Sequence, residues 1–171
     1  MSKSGTPPER IEILAAKRED EPVLANLLEL YVYEFSELLD MAVGEDGRFG
    51  YPRLSLYWSE ADRYPLLVRV DGKLGGFALV RRGPGVTCDG TVWDVAEFFV
   101  LRAYRRRGVG TRVAHEVWSR FPGQWEVRVM EENTAGLRFW KDAVARFHGE
   151  AVSPVRVETD GRRWQVFSFE S

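Results

Sequence analysis

Apolar and polar residues follow one another along this chain in two rhythms, and the rhythm changes at prolines, glycines and Asp-Gly pairs. Arg10–Ala16 reads as a first strand. Asp20 stands at a helix N-cap position, with Pro22 in the first turn. From Val23 to Leu39 the apolar positions Val23, Leu27, Leu30 or Tyr31, Phe35 and Leu38 keep helical spacing, and the helix is expected to break near Gly44. Gly44–Gly50 reads as a loop, and Tyr51–Glu60 fits strand, short helix or loop. Leu66–Val70 and Leu74–Val80 form a hairpin around Asp71-Gly72, a pair suited to a two-residue turn. Val92–Leu101 is a long strand, and Thr111–Phe121 is a helix with Val109, Val113, Val117 and Trp118 towards the core. Trp125, Val127 and Val129 alternate with polar residues, as in a half-buried strand. Asn133 opens a further helix with Leu137, Trp140, Val144 and Phe147 on one stripe. Val155–Glu158 and Trp164–Phe169 close the pattern as a hairpin across Asp160-Gly161.

This order predicts a mixed α/β fold with helices packed on one sheet. Antiparallel hairpins at both ends argue against a doubly wound parallel sheet. No repeat and no linker interrupts the order, so residues 1–9 are expected to form a flexible arm and residues 10–171 a single domain.

Composition narrows the function classes. With 24 basic and 26 acidic side chains, and runs of arginine confined to 81–82, 105–107 and 162–163, the chain lacks the basic face of a nucleic-acid binder. Cys88 is a lone cysteine, and His115 and His148 are far apart, so no metal site is expected. No apolar run is long enough to span a membrane, and the first residues lack the apolar core of a signal peptide. The expected location is therefore cytoplasmic, with no membrane partner.

Chemistry concentrates in Glu97–Trp118, where an apolar strand runs into three arginines, two glycines spaced by one residue, and a helix. Glycines let a ligand approach the backbone, and the first-turn N–H groups of a helix attract an anion. Arg105, Arg106 and Arg107 add donors that match phosphate geometry. No Walker sequence occurs, and Val113 occupies the place of the third glycine in a dinucleotide fingerprint. What remains is Arg105-x-x-Gly108-x-Gly110 between a strand and a helix.

That motif in that setting resembles the pyrophosphate loop of the GNAT superfamily of N-acetyltransferases, and the element order resembles the family's over nearly the whole chain. The resemblance implies a largely antiparallel central sheet with a splayed fourth and fifth strand and helices on both faces. It implies acetyl-CoA as acyl donor, with the pantetheine arm pairing with the backbone of Phe99, Val100 and Leu101. The pyrophosphate would meet main-chain N–H groups of Arg105, Arg106, Arg107, Gly108, Val109 and Gly110, with Thr111 nearby. The family's cofactor-touching asparagine falls on Asn133, which is equally well placed as a plain N-cap. Its thiolate-protonating tyrosine falls on Trp140, whose indole does not ionise at neutral pH, so Trp140 is expected to pack against the thioester or the core. Tyr104 is the nearest phenol to the motif in sequence.

Glu97 is the candidate general base, because an acid in an apolar strand should have a raised pKa. The alternative is a structural carboxylate paired with an arginine of a neighbouring strand. Asp94 is the substitute base, expected on the opposite strand face by alternation. The resemblance places the acceptor site on the first helix and the loop after it. Tyr31, Tyr33, Glu34, Glu37 and Trp58 could line a pocket there for a cationic amine, or be a solvated helix face above core aromatics. The implied reaction is direct attack by a small amine or a peptide N-terminus on acetyl-CoA. A non-catalytic coenzyme A-binding sensor or interaction module is the alternative. A homodimer through the C-terminal hairpin, with Trp164, Phe167 and Phe169, stays open beside burial of those residues in the core.

Overall fold

A computed structural model describes residues 8–83 and 90–171, so Cys88 and the first seven residues of the expected arm lie outside it. Seven strands form one sheet in the order β1-β2-β3-β4-β5-β7-β6. They are β1 (Ile11–Ala15), β2 (Arg63–Val70), β3 (Lys73–Arg82), β4 (Trp93–Val100), β5 (Gln124–Met130), β6 (Val155–Thr159) and β7 (Arg162–Glu170). Three helices accompany them: α1 (Glu21–Leu39), α2 (Val109–Arg120) and α3 (Thr134–His148). All neighbouring pairs are antiparallel except β4 and β5.

The local sequence explains most of these elements. Asp71 and Gly72 have φ of 49° and 79°, and Asp160 and Gly161 have 51° and 69°. Both hairpins therefore turn through two positive-φ residues, which matches the right-handed twist of the strands they join. Asn133 caps α3 by accepting the Gly136 N–H at 2.9 Å. Asp20 occupies the α1 N-cap, but its carboxylate turns back to accept the Lys17 N–H at 2.9 Å and closes the preceding 3-10 turn instead. The expected break near Gly44 comes earlier. Asp40 takes a left-handed conformation, φ 48°, and its N–H returns to Ser36, which ends α1 at Leu39. The ambiguous Tyr51–Glu60 stretch contains a 3-10 turn over Leu54–Trp58.

The sheet separates two cores. On one face α2 and α3 bury Val113, Trp118 and Val144 against Val68, Val80, Trp125 and Phe167. On the other, α1 and the 3-10 turn bury Leu24, Leu28 and Leu54 against Leu67, Phe77, Leu79 and Phe99. Helices thus lie on both faces, as the resemblance implies. In the closing hairpin Phe167 and Phe169 belong to the first core, and Trp164 is half-buried.

Two irregularities position the site. β4 pairs with β5 only at Trp93–Trp125 and Asp94–Glu126, so the two strands part beyond Asp94. The register of β3 with β4 also shifts: Leu79 faces Glu97 while Val80 faces Val95, which leaves Ala96 as the extra residue of a bulge. Trp93, Val95 and Val100 belong to the α2–α3 core and Phe98 packs against it, whereas Phe99 belongs to the α1 core. The bulge therefore corrects the expectation that Asp94 and Glu97 point to opposite faces. Three residues apart, they share the α1 face.

Candidate active site

The loop after β4 has the backbone of an anion cradle. Arg102–Tyr104 forms a 3-10 turn, Arg106 is left-handed with φ 60°, and Gly108 is the N-cap of α2 with φ 77°. Val109, Gly110 and Thr111 form the first turn of α2, so their N–H groups have no carbonyl within the helix to donate to. A Cβ on Gly110 would lie 3.0 Å from the Phe139 ring, so glycine keeps this turn close to α3. The Arg105 N–H, by contrast, is spent on the Arg102 carbonyl at 3.2 Å.

Strand register decides which backbone groups face the gap between β4 and β5. The Leu101 N–H donates to the Gly75 carbonyl at 2.8 Å, which makes Gly76–Val100 a pair without mutual hydrogen bonds. Val100, and Phe98 two residues earlier, therefore turn their N–H and C=O groups away from β3 and into the gap. Phe99 and Leu101 turn theirs to β3. Of the three residues expected to offer backbone to a ligand arm, Val100 is the one so oriented, and Phe98 joins it.

Beside the gap, on the α1 face, the Glu97 carboxylate is held by two phenols. Tyr31 of α1 donates to Oε2 at 2.6 Å, and Tyr51 donates to Oε1 at 2.8 Å. Burial pushes the Glu97 carboxyl above the usual carboxylate range, and the two hydrogen bonds and the Arg128 charge pull it part of the way back. Burial and the Glu97 charge hold both phenols well above the ordinary tyrosine range. The same causes push Tyr57 up to about 12. At neutral pH Tyr31 and Tyr51 are hydrogen-bond donors to Glu97 and poor acids.

The arginine pairing considered for Glu97 belongs to Asp94. Arg81 of β3 and Arg128 of β5 both reach Asp94 Oδ2, at 2.7 and 3.1 Å, and Asp94 is fully buried. Arg128 also lies over the Trp164 ring, 5.6 Å from its centroid. Asp94 is thus committed to structure, and Glu97 is left to its phenols.

The remaining expected residues divide. Asn133 caps α3, as already described. Trp140 is buried among Phe98, Phe139 and Trp118, with ring centroids 4.9, 4.8 and 6.1 Å away, and so packs in the core. Tyr104 is half-buried under the Arg107 guanidinium, 6.0 Å from its ring. Glu34 bonds Arg102 Nε at 2.9 Å and Arg105 Nη2 at 2.8 Å. Arg105 Nε donates to the Val100 carbonyl at 2.7 Å. Trp58 donates its indole N–H to the Ala16 carbonyl at 3.0 Å, at the far end of the α1 core. Glu37 and Tyr33 are exposed. Of the residues expected to line an acceptor pocket, Tyr31 is the one that meets Glu97, and Tyr51 joins it. Tyr51 opens the aromatic stretch whose secondary structure is ambiguous in sequence, and no spacing rule links it to a strand 46 residues away.

Among the described residues no group of His, Cys, Asp and Glu could hold a metal ion, and no helix is long and apolar enough to cross a membrane. Residues 25–143 match the model of the acetyltransferase (GNAT) family. The chain matches no curated protein in sequence. In fold it is similar to an acetyltransferase from Thermus thermophilus, with 13% identity, 94% of this chain and 97% of that one covered, and a TM-score of 0.68. It is similar to aminoglycoside acetyltransferase AAC(6')-Ib in complex with coenzyme A, with 11% identity, coverage of 94% and 95%, and a TM-score of 0.69. Arabidopsis thaliana NAA60 in complex with acetyl-CoA is a third, with 14% identity, coverage of 94% and 98%, and a TM-score of 0.59.

Proposed function

The chain belongs to the acetyltransferase (GNAT) family, and we propose that it moves an acetyl group from acetyl-CoA to an amine by direct attack, with Glu97 as general base. One observation carries the reading: a raised-pKa carboxylate flanks the gap into which the Val100 N–H points.

The residues present fit this donor. The parted strands leave the Phe98 backbone groups and the Val100 N–H turned towards the gap, and the first turn of α2 offers N–H groups to phosphates at the end of the same gap. Acetyl-CoA supplies an activated acyl group and a thiolate leaving group. The Val100 N–H is placed to stabilise negative charge on a carbonyl oxygen in the gap. Glu97 takes the proton that the amine must lose as its nitrogen bonds to carbon and the carbon–sulfur bond breaks. Burial suits it to this task, because a carboxylate of ordinary pKa is a weak base near neutrality. Trp140 offers no acid, and Tyr31 and Tyr51 are too weakly acidic to replace one, so the proposed thiolate departs without a dedicated proton donor.

Calorimetry and thermal shift with acetyl-CoA, coenzyme A and ATP test the donor site. Acetyl-CoA should raise Tm and ATP should not. An amine panel comprising amino acids, polyamines, aminoglycosides and peptide N-termini, read by coenzyme A release, then tests transfer. Glu97→Gln should lower kcat/KM by about a hundredfold. Trp140 favours a second reading, a coenzyme A-binding module without catalysis. Binding with no transfer to any amine would select it, and no binding at all would remove both.

A further inference from the structure

We infer that the Arg105 side chain is a positioning residue that ties the end of β4 to α1 and so sets the Tyr31–Glu97 contact, leaving phosphate binding to the backbone of its loop. The inference rests on the acetyl-transfer reading above.

The argument starts from the side of the sheet on which the guanidinium lies. α2 packs on one face of the sheet, and its N-terminus is the anion cradle. Arg105 lies over the ring of Phe99, 5.4 Å from its centroid, and Phe99 belongs to the core on the other face. From there Nε donates to the Val100 carbonyl at 2.7 Å and Nη2 to Glu34 at 2.8 Å. Arg102 takes the second Glu34 oxygen at 2.9 Å. A carboxylate with one guanidinium on each oxygen is well ordered, and the Arg105–Glu34 pair is partly covered, with side chains 37% and 21% exposed.

Glu34 and Tyr31 are three residues apart on α1, hence on one side of the helix. The Tyr31 ring rests on Phe99, centroids 5.8 Å apart, and its hydroxyl reaches Glu97. Arg105 and Tyr31 thus share Phe99 as a floor. One joins the helix to the strand end, and the other joins the helix to the carboxylate two residues before Phe99. Loosening the first contact lets this part of α1 shift, and the 2.6 Å phenol bond to Glu97 has to lengthen. The Val100 carbonyl keeps a second lone pair for a donor in the gap, so the tie and a bound pantetheine arm are compatible.

The test compares two acyl donors, acetyl-CoA and S-acetylpantetheine, of which the second has no phosphate. On the acid limb of the pH profile, Arg105→Gln should lower kcat/KM about tenfold with both donors alike. It should move the acid limb of the pH profile upward, because Glu97 loses a hydrogen bond that favours its charged form. Glu34→Gln should do the same, the double variant should be no worse than about the worse single one, and Arg105→Lys should recover part of the rate. Coenzyme A affinity, measured by calorimetry, should change less than about threefold in Arg105→Gln. A loss confined to acetyl-CoA, with coenzyme A affinity reduced about tenfold and Glu34→Gln unaffected, would overturn the inference and make the side chain a phosphate ligand. Absence of transfer by the wild type would instead defeat the acetyl-transfer reading. Calorimetry with coenzyme A and pantetheine would still decide whether Arg105 binds phosphate.

Discussion

The two phenols on Glu97 make its basicity adjustable in a way that can be worked through. Tyr51→Phe keeps the ring and removes the hydroxyl that donates to Oε1 at 2.8 Å. A hydrogen bond to a charged group is worth about 1.5–3 kcal/mol. The Tyr31 hydroxyl still serves the other oxygen after the change, so the lower end applies. A difference of about 1.4 kcal/mol between protonation states is one pKa unit. Since the bond favours the carboxylate, its loss raises the Glu97 pKa by about one unit. The base must be ionised to act, so the acid limb of kcat/KM moves to higher pH by the same amount. The high-pH plateau should change less than about threefold, because the carboxylate itself remains. Tyr31→Phe should move the limb further, as its bond is shorter, at 2.6 Å. Both bonds end on one carboxylate, so the double variant should depart from the sum of the two single shifts. The assay is initial rate of coenzyme A release against pH, with the best amine of the panel. An acid limb that stays put or moves down in both variants would refute the assignment of Glu97 as the base, as would a Glu97→Gln enzyme that retains the limb.

Four further outcomes concern the fold around the site. The folded pKa of Glu97 is raised, so its favourable contribution is complete below the ordinary carboxylate pKa and is lost as pH rises through the folded value. Glu97→Gln should therefore gain stability relative to wild type as pH rises above the ordinary carboxylate range, read as urea midpoints, and a relative loss over that rise would contradict the burial cost. Asp94→Asn leaves Arg81 and Arg128 with their shared carboxylate gone and should cost about 3 kcal/mol, or about 6–12 °C in Tm. A change under about 1 kcal/mol would show that solvent already screens the cluster. Gly108→Ala meets no atom within 4 Å but must hold φ 77°, so it should cost about 1 kcal/mol. Gly110→Ala presses on Phe139 and should cost about 1–3 kcal/mol, and denaturation curves that reverse this order would show that Phe139 yields freely.

What the sequence disclosed follows the range of the forces involved. The Asp-Gly hairpins and the Asn133 cap were legible because each is settled within four residues. The partners of Glu97 were not, since Tyr31 and Tyr51 come from 66 and 46 residues away, and α1 packing brings them in. The bulge lies between these cases. Apolar positions of the α2–α3 face run Trp93, Val95, then Phe98 and Val100, so the step of two becomes three across Ala96. Strict alternation, applied without that exception, sends Asp94 and Glu97 to opposite faces. The irregular step was present in the residues, but Phe99 beside Phe98 supplies an equally apolar continuation of the regular one. Only the β3 partner resolves the choice, by pairing Leu79 with Glu97 and Val80 with Val95. One inserted residue thereby puts two carboxylates on one face and gives them different lives. Asp94 falls between Arg81 and Arg128 and is neutralised. Glu97, one bulge further along, meets phenols that donate hydrogen bonds to it without cancelling its charge, and this difference in partners is why the proposed base is Glu97 and not Asp94.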